Sequence, residues 1–319
     1  MKSGQRNLEE NFKTKRMSDN IKIANAPCSW GALEFELEGK ALGYEQVLDE
    51  IAETGYAGTE LGDWGFMPTE PSALRTEISK RNITLLGAFV PVALAREDTH
   101  DSGIEKALRV AGLMYEAGYS DAFIILADEN GTISERTKNA GRIKKDQSLS
   151  AGQMKIFARG AEKIASAVKN KYAMRTIFHH HCAGYVETPD EIESFLNETD
   201  PNLLGLCFDT GHFRFGGGTN PLEFLEKFYS RIPHVHFKDF SPRVAQKAID
   251  NQWDYFASVN NGIFCELGKG DVDFKALVNF LLANDYSGWI VVEQDVLPGM
   301  GDPKSCARNN RQYLQTVGL

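Results

Sequence analysis

The chain of 319 residues carries a formal net charge of −9, which disfavours nucleic acid and anionic membrane surfaces as its main partners. Hydrophobic residues make up 42% and charged residues 25% of the chain, as in an average globular domain, so a core can form without disulfide or metal staples. No apolar run approaches the roughly 18–20 residues that span a bilayer, and we expect no membrane partner.

Two further features concern processing and cellular location. Residues 1–20 are polar and of mixed charge and lack an apolar signal core, so we predict a flexible leader before a single domain over residues 21–319. The cysteines are odd in number, scattered and without a CxxC pair, which predicts reduced thiols and a cytoplasmic location. They are Cys28, Cys182, Cys207, Cys265 and Cys306.

Short apolar runs alternate with longer amphipathic stretches along the chain. The predicted strands are residues 22–26, 58–61, 84–89, 122–126, 174–179, 203–208, 234–237 and 289–293. The predicted helices are residues 44–54, 72–81, 102–117, 148–169, 189–197, 221–230, 273–284 and 302–316, with Thr188 as an N-cap before Pro189. Eight strand–helix repeats predict a closed parallel (β/α)8 TIM barrel. The alternative is an open doubly wound sheet, but no GxGxxG follows the first strand.

Two polar segments are longer than a connection needs. Residues 129–147 and 241–267 both follow strands, so we predict that both lie over the C-terminal mouth of the barrel and act as lids. The active site of a barrel lies at the same mouth, formed by the residues that end each strand.

Histidines and carboxylates are concentrated at those strand ends. Five of the seven histidines lie at or beside three strand ends, and His234 begins one of these strands. We predict that side chains from separate strands converge on one divalent metal ion, and this mixed nitrogen and oxygen donor set suits Mn²⁺, Co²⁺, Mg²⁺ or Zn²⁺. The predicted ligands are His179, Asp209, His236 and Glu293. Each carboxylate also has a plainer interpretation, Asp209 as a helix cap and Glu293 as a rim residue.

Strand alternation assigns directions to the remaining histidines. His180 lies between His179 and His181 and should face away from the barrel axis. We expect only one of His234 and His236 to point inward, with the other structural. His212 is expected to pack in its loop or contact the substrate.

Five motifs near the strand ends resemble the xylose-isomerase-like barrel family, also called the sugar phosphate isomerase/epimerase family. The resemblance extends from about Ile21 to the end of the chain, and the branch that dehydrates keto-inositols (inososes) is the most similar. The motifs are residues 23–31 (IANAPCSWG), 55–62 (GYAGTELG), 209–212 (DTGH), 236–239 (HFKD) and 288–295 (GWIVVEQD).

The resemblance implies a ligand set of Glu, Asp, His and Glu. Asp209, His236 and Glu293 match the last three positions, whereas His179 stands in place of the first glutamate. Glu187 is a weaker substitute because the next helix begins near it. This replacement disfavours the symmetric two-glutamate proton shuttle of the isomerases and favours a dehydratase, with Mn²⁺ or Co²⁺ as the preferred metal.

A dehydratase needs a base for the proton beside the ketone and an acid for the departing hydroxyl. The candidates are His181 and Lys238, with Glu60 third. A nearby cation would lower the pKa of Lys238 and allow it to act as a base, or the lysine binds a substrate oxygen. The predicted substrate contacts are Asn25, Trp30, His212 and Asp239.

The sequence therefore predicts a metal-dependent lyase that dehydrates an inosose or a similar polyhydroxylated ketone. The alternatives are an isomerase or epimerase of free or phosphorylated sugars, a dehydroshikimate-type dehydratase, and a sugar-binding barrel without catalysis. A small polyol or sugar is the expected partner, and a homodimer is compatible with the predicted fold.

Overall fold

The computed structural model describes residues 20–32, 42–297 and 299–319. In chain order the strands are β1 (Lys22–Asn25), β2 (Gly58–Glu60), β3 (Thr84–Pro91), β4 (Phe123–Ala127), β5 (Arg175–His179), β6 (Leu204–Asp209), β7 (His234–Phe237), β8 (Asp239–Phe240), β9 (Phe264–Cys265) and β10 (Trp289–Val292). Eight of these strands are parallel and close into a barrel, as predicted, in the order β1-β10-β7-β6-β5-β4-β3-β2. β8 and β9 pair antiparallel outside the barrel. Apart from Asn20, the predicted leader lies outside the described residues.

The helices surround the barrel, and each of the eight predicted ones is present with ends within three residues of the prediction. They are α1 (Tyr44–Glu53), α2 (Pro71–Ser79), α3 (His100–Glu116), α5 (Ala151–Tyr172), α6 (Pro189–Glu198), α8 (Pro221–Phe228), α11 (Phe274–Ala283) and α12 (Pro303–Val317). Four shorter helices were not predicted: α4 (Ser134–Lys138), α7 (Thr210–Phe215), α9 (Pro242–Asp250) and α10 (Tyr255–Asn260).

Local signals explain where several helices begin and end. The Thr188 hydroxyl accepts the Glu191 N–H, and Glu191 in turn accepts the Thr188 N–H, so the predicted N-cap of α6 is part of a full capping box. α1 is followed by Gly55 at φ +88°, a left-handed conformation that glycine adopts without a steric penalty.

The core has an outer and an inner part. Outside the barrel, Phe178 of β5 packs against Phe195 of α6 with ring centroids 4.3 Å apart. Inside it, Ile177 and Cys207 belong to a small apolar cluster. These two residues lie two positions before His179 and Asp209 on the same strand faces, so the apolar layer lies below the polar strand ends.

The two long segments pack together at the C-terminal side of the barrel. Arg142 of the first segment donates to the Trp253 carbonyl of the second at 2.9 Å, and Ala140 and Tyr255 share one buried cluster. Their predicted position is thus confirmed, and residues 241–267 contain α9, α10 and β9, which pairs with β8 directly before the segment. No helix within the described ranges combines the length and apolarity needed to cross a membrane.

Candidate active site and metal centre

A cavity of about 650 Å³, open in part to solvent, lies at the C-terminal ends of the barrel strands. Its lining comes from the ends of six barrel strands and from α10. The lining residues are Ala26, Pro27, Cys28, Ala32, Glu60, Gly62, Asp63, Phe89, His179, His181, His236, Lys238, Tyr255, Glu293 and Asp295.

The four predicted metal ligands come together at the base of this cavity. Glu293 Oε1 lies 3.2 Å from His236 Nδ1, and Asp209 Oδ2 lies 3.8 Å from the same nitrogen. His179 Nε2 is 3.7 Å from Asp209 Oδ2. Ligand atoms of Asp209, His236 and Glu293 all lie within 4.8 Å of one another, so these three strand ends can share a single cation, and His179 lies beside them.

Buried polar atoms without a hydrogen-bond partner indicate whether the predicted metal ligands fit a metal ion. Asp209 Oδ2 and His236 Nδ1 are buried and have no hydrogen-bond partner, although such groups are nearly always paired in folded proteins. Asp209 Oδ1, by contrast, accepts the His212 N–H at 2.7 Å and caps α7. The plainer interpretation of Asp209 as a cap is therefore correct for one oxygen, and the second oxygen fits a cation.

The electrostatics around His236 also favour positive charge at this point. Burial alone would lower the pKa of His236, but Cys207, Glu293 and Glu60 outweigh it and hold that pKa well above its ordinary value. A divalent cation would supply the same compensation for the surrounding carboxylates.

The prediction for the histidine pair of β7 was wrong. Residues two apart on a strand share a face, and both His234 and His236 point into the barrel, where each Nε2 lies within hydrogen-bond distance of Glu60 Oε1, at 2.9 and 3.0 Å. His180, as expected, faces away from the axis: its ring packs on Phe208 and its Nε2 accepts the Asp209 N–H.

Glu60 lines the cavity but is strongly engaged. Burial alone would raise the pKa of its carboxyl, yet His236 and His234 lower that pKa to about 2. Because Oε1 already accepts hydrogen bonds from both imidazoles, this oxygen is engaged by the protein, which disfavours Glu60 as the base.

His181 is held in one tautomer. Its Nδ1 lies 2.7 Å from the Cys182 carbonyl, which can only accept, so Nδ1 carries the hydrogen and Nε2 keeps its lone pair. Burial, and then the charges of His179 and Lys238, lower the pKa of His181 to about 3. The Nε2 atom lies 3.5 Å from the Tyr255 hydroxyl, and both residues line the cavity.

Lys238 belongs to a buried ion-pair network beside the predicted metal ligands. Its Nζ is 3.0 Å from Glu293 Oε2 and 3.3 Å from Asp295 Oδ1, and it lies over the Phe264 ring. Burial alone would lower the pKa of Lys238, but Asp295, Glu293 and Asp209 raise it well above its ordinary value. The lysine is thus a charged donor beside these carboxylates, and the lowering of its pKa by a bound cation stays a prediction.

Two predicted substrate contacts lie away from the cavity. A four-residue 3-10 helix, Pro27–Trp30, turns the Trp30 ring into the hydrophobic core, where Nε1 donates to Glu50 of α1 at 2.7 Å. Asn25 is fully buried at the end of β1, and its Oδ1 accepts the Ala26 N–H. Neither residue lines the cavity, so these assignments were wrong.

His212 and Asp239 also support the site from behind rather than lining it. His212 packs against His181 with ring centroids 3.8 Å apart. Asp239 accepts backbone N–H groups from Phe240, Gly268 and Gly270, as well as from Val272, and so organises the loop after β9. His212 thus shows the first of the two expected outcomes, packing in its loop, whereas Asp239, predicted as a substrate contact, is not among the lining residues.

The sequence interpretation missed several lining residues. Asp295 ends the motif of residues 288–295, which includes β10. Its position two residues after Glu293 was a usable signal, because alternate residues of an extended chain share a face. Tyr255 and Asp63 lie outside strand ends, and no local pattern pointed to them.

Several known proteins are similar to this chain in sequence or in fold. The inosose dehydratase of Clostridium tetani is 30% identical over 298 residues, which cover 93% of this chain and 97% of the relative. The crystal structure of the probable 3-DHS dehydratase AsbF of petrobactin synthesis from Bacillus anthracis has a TM-score of 0.67 at 15% identity, covering 92% of this chain and 98% of that one.

Two further structures have the same fold. The IOLI protein with a binding zinc atom has a TM-score of 0.66 at 16% identity and covers 93% of this chain and 97% of that one. The 3-keto-D-glucoside 4-epimerase YcjR from E. coli has a TM-score of 0.65 at 16% identity and covers 93% of this chain and 99% of that one.

The family profile described as xylose isomerase-like TIM barrel matches residues 48–316, most of the chain. The closed barrel, the cavity at its C-terminal mouth and the relative aligned over nearly its full length agree with that match. The chain is an enzyme and belongs to the xylose isomerase-like TIM barrel family.

Proposed function

We propose that the protein is a metal-dependent lyase that removes water from an inosose, a neutral ring ketone with many hydroxyl groups. The observation that carries the proposal is that His181, whose Nε2 keeps its lone pair, and charged Lys238 line the same cavity as His179, His236 and Glu293. The name of the C. tetani relative supports the choice of substrate.

His179, Asp209, His236 and Glu293 would hold one divalent ion, and the zinc atom named in the structure of the IOLI neighbour supports a bound metal. Such an ion acts as a Lewis acid that polarises a ketone oxygen and acidifies the neighbouring C–H. Two carboxylates with two imidazoles suit Mn²⁺ or Co²⁺, which we favour over Mg²⁺ because Mg²⁺ prefers oxygen ligands, while Zn²⁺ is the next choice.

The protein's own groups can then manage both protons. His181 Nε2 takes the proton from the carbon beside the ketone, because its Nδ1–H is already donated to Cys182. Lys238 donates a proton to the departing β-hydroxyl, which leaves as water. The carbon–hydrogen and carbon–oxygen bonds break, a carbon–carbon double bond forms, and solvent returns Lys238 and His181 to their starting states.

The charge of the cavity favours a neutral substrate. Glu60, Asp63, Glu293 and Asp295 line it, whereas Lys238 is its one lysine or arginine among the described lining residues. Phosphate and carboxylate groups would meet repulsion from these carboxylates. This balance supports an inosose over a phosphorylated sugar or a dehydroshikimate-type acid.

An epimerase is the second candidate, since the YcjR neighbour is named as one. The replacement of the first ligand glutamate by His179 weighs against it, because a two-glutamate proton exchange then lacks one partner.

The test is an inosose assay on metal-stripped protein reloaded with Mn²⁺, in which product formation is followed by ultraviolet absorbance. We expect His181→Ala to reduce kcat by roughly 10²–10⁴-fold while metal content is kept. His100→Ala, which removes another buried histidine that does not line the cavity, should keep its turnover. Deuterium uptake from D₂O without loss of water, or an unchanged His181→Ala variant, would refute the proposal.

Two parts of the sequence interpretation remain predictions: pairing of the chain into a homodimer and a cytoplasmic location. Analytical ultracentrifugation and fractionation of cells that express the chain would test them.

A further inference from the structure

We propose that Glu60 is a positioning residue, which fixes the tautomer and orientation of the metal ligand His236 with the help of His234. The inference rests on the metal centre of the proposed function but not on the reaction that the enzyme catalyses. It replaces the earlier interpretation of Glu60 as a catalytic base.

Glu60 contacts both histidines of β7 through one carboxylate oxygen. A single carboxylate oxygen, Glu60 Oε1, lies 2.9 Å from His234 Nε2 and 3.0 Å from His236 Nε2. A carboxylate oxygen only accepts, so both imidazoles must carry hydrogen on Nε2. Because the three side chains are buried, solvent does not compete with these bonds.

The opposite edge of the His236 ring faces the two carboxylates of the metal centre. With hydrogen fixed on Nε2, the lone pair of the neutral ring lies on Nδ1. That atom has no hydrogen-bond partner and faces Glu293 Oε1 at 3.2 Å and Asp209 Oδ2 at 3.8 Å. Glu60 therefore aims the nitrogen that would bind the ion, as outer carboxylates commonly do for histidine ligands.

His234 supplies the support from below. It lies two residues before His236 on the same inward face, does not line the cavity, and packs against Phe123 with ring centroids 5.4 Å apart. The contact of His234 Nε2 with Glu60 Oε1 adds to the contact from His236, and together they restrict rotation of the Glu60 carboxylate.

The backbone of β2 is also adapted to this role. The register between β2 and β3 shifts between Thr59, which pairs with Leu85, and Glu60, which pairs with Gly87. Irregularities of this kind next to active sites re-aim a side chain. Here the shift occurs at the residue that reaches across the barrel to β7.

The experiment titrates the metal-stripped full chain with Co²⁺ alone and follows the visible absorption of the bound ion. We expect Glu60→Ala to raise the Kd for Co²⁺ by about 10–100-fold and to alter the absorption band. Glu60→Gln, whose amide oxygen can still accept an N–H, should show a smaller increase in Kd. Asp63→Asn is the matched control, since Asp63 lines the same cavity and, within the described residues, no hydrogen bond or ion pair joins it to the four ligands. The Kd of this variant for Co²⁺ should equal that of the wild type.

Turnover at saturating metal separates a positioning role from a catalytic one. For a positioning residue, excess metal should restore kcat of Glu60→Gln to within a few-fold of wild type. An unchanged Kd with kcat reduced at every metal concentration would overturn the inference and make Glu60 the base. If Glu60→Ala does not fold, the same two readouts on Glu60→Gln decide. Failure of the wild type to bind Co²⁺ would instead refute the metal centre itself.

Discussion

Asp209 makes two separable contacts, and replacing it by asparagine or alanine distinguishes them. Its Oδ1 accepts the His212 N–H at the start of α7, whereas its buried Oδ2 has no hydrogen-bond partner and faces the metal-centre residues. Asparagine keeps an oxygen for the first contact but puts an amide nitrogen, which cannot bind a cation, in place of the second. Alanine removes both contacts.

The expected effects differ in size and in their dependence on metal. Loss of an N-cap costs about 1 kcal/mol, which corresponds to about 1.5 °C at an unfolding entropy of about 2.1 cal/mol/K per residue in a chain of 319 residues. We therefore expect metal-stripped Asp209→Ala to unfold about that far below metal-stripped Asp209→Asn. Metal at about 100 times its Kd stabilises a folded protein by about 2.7 kcal/mol, or about 4 °C. Wild type should show that increase in Tm, and both variants should lack it.

Differential scanning calorimetry with and without Mn²⁺ measures both effects. Asp273→Ala is the control, because the Asp273 side chain caps α11 through the Ala276 N–H and none of its hydrogen bonds reaches the metal centre. This variant should lose some stability but keep the full increase on adding metal. An Asp209→Asn protein that gains as much Tm from Mn²⁺ as the wild type would show that Oδ2 is not a ligand.

Two further predictions concern buried groups outside the metal centre. Arg136→Met removes one partner of the buried bidentate pair with Glu191 and should lower the free energy of unfolding by about 3–5 kcal/mol in urea titrations, whereas Arg96→Met, which breaks an exposed pair, should have no measurable effect. Burial raises the pKa of Asp128 to about 7, so the folded chain keeps a proton that the unfolded chain releases near pH 4, and this group's contribution to stability falls as pH rises through that window. Asp128→Asn should flatten the decline between about pH 4 and pH 7, and an unchanged slope would contradict the assignment.

The parts of the site that could be predicted from sequence are those that lie on barrel strands. Asp209, His236 and Glu293 follow or end apolar runs, and the closed parallel sheet brings such positions to one end whatever lies between them. The fold was predictable for a similar reason, because strands buried on both faces appear as continuous apolar runs.

The errors arose where the path of the chain outside the strands decides the outcome. Trp30 lies on a short 3-10 helix whose turn directs the ring into the core, and Asp239 is surrounded by backbone N–H groups of a loop that is nearly thirty residues later in the sequence. Tyr255 reaches the cavity only because α10 packs across the mouth. Local patterns carry no information about these tertiary contacts.

The histidines of β5 and β7 show how one backbone rule separates the roles within the site. His234 and His236 share the inward face of β7, whereas His179 ends β5 and His181 follows two residues later, and both of these line the cavity. His234 does not line the cavity, His236 and His179 face the metal-centre carboxylates, and His181 lines the cavity beside Tyr255. A register slip of one residue in β7 would turn both of its histidines outward, so strand register and site chemistry depend on the same apolar layer beneath them.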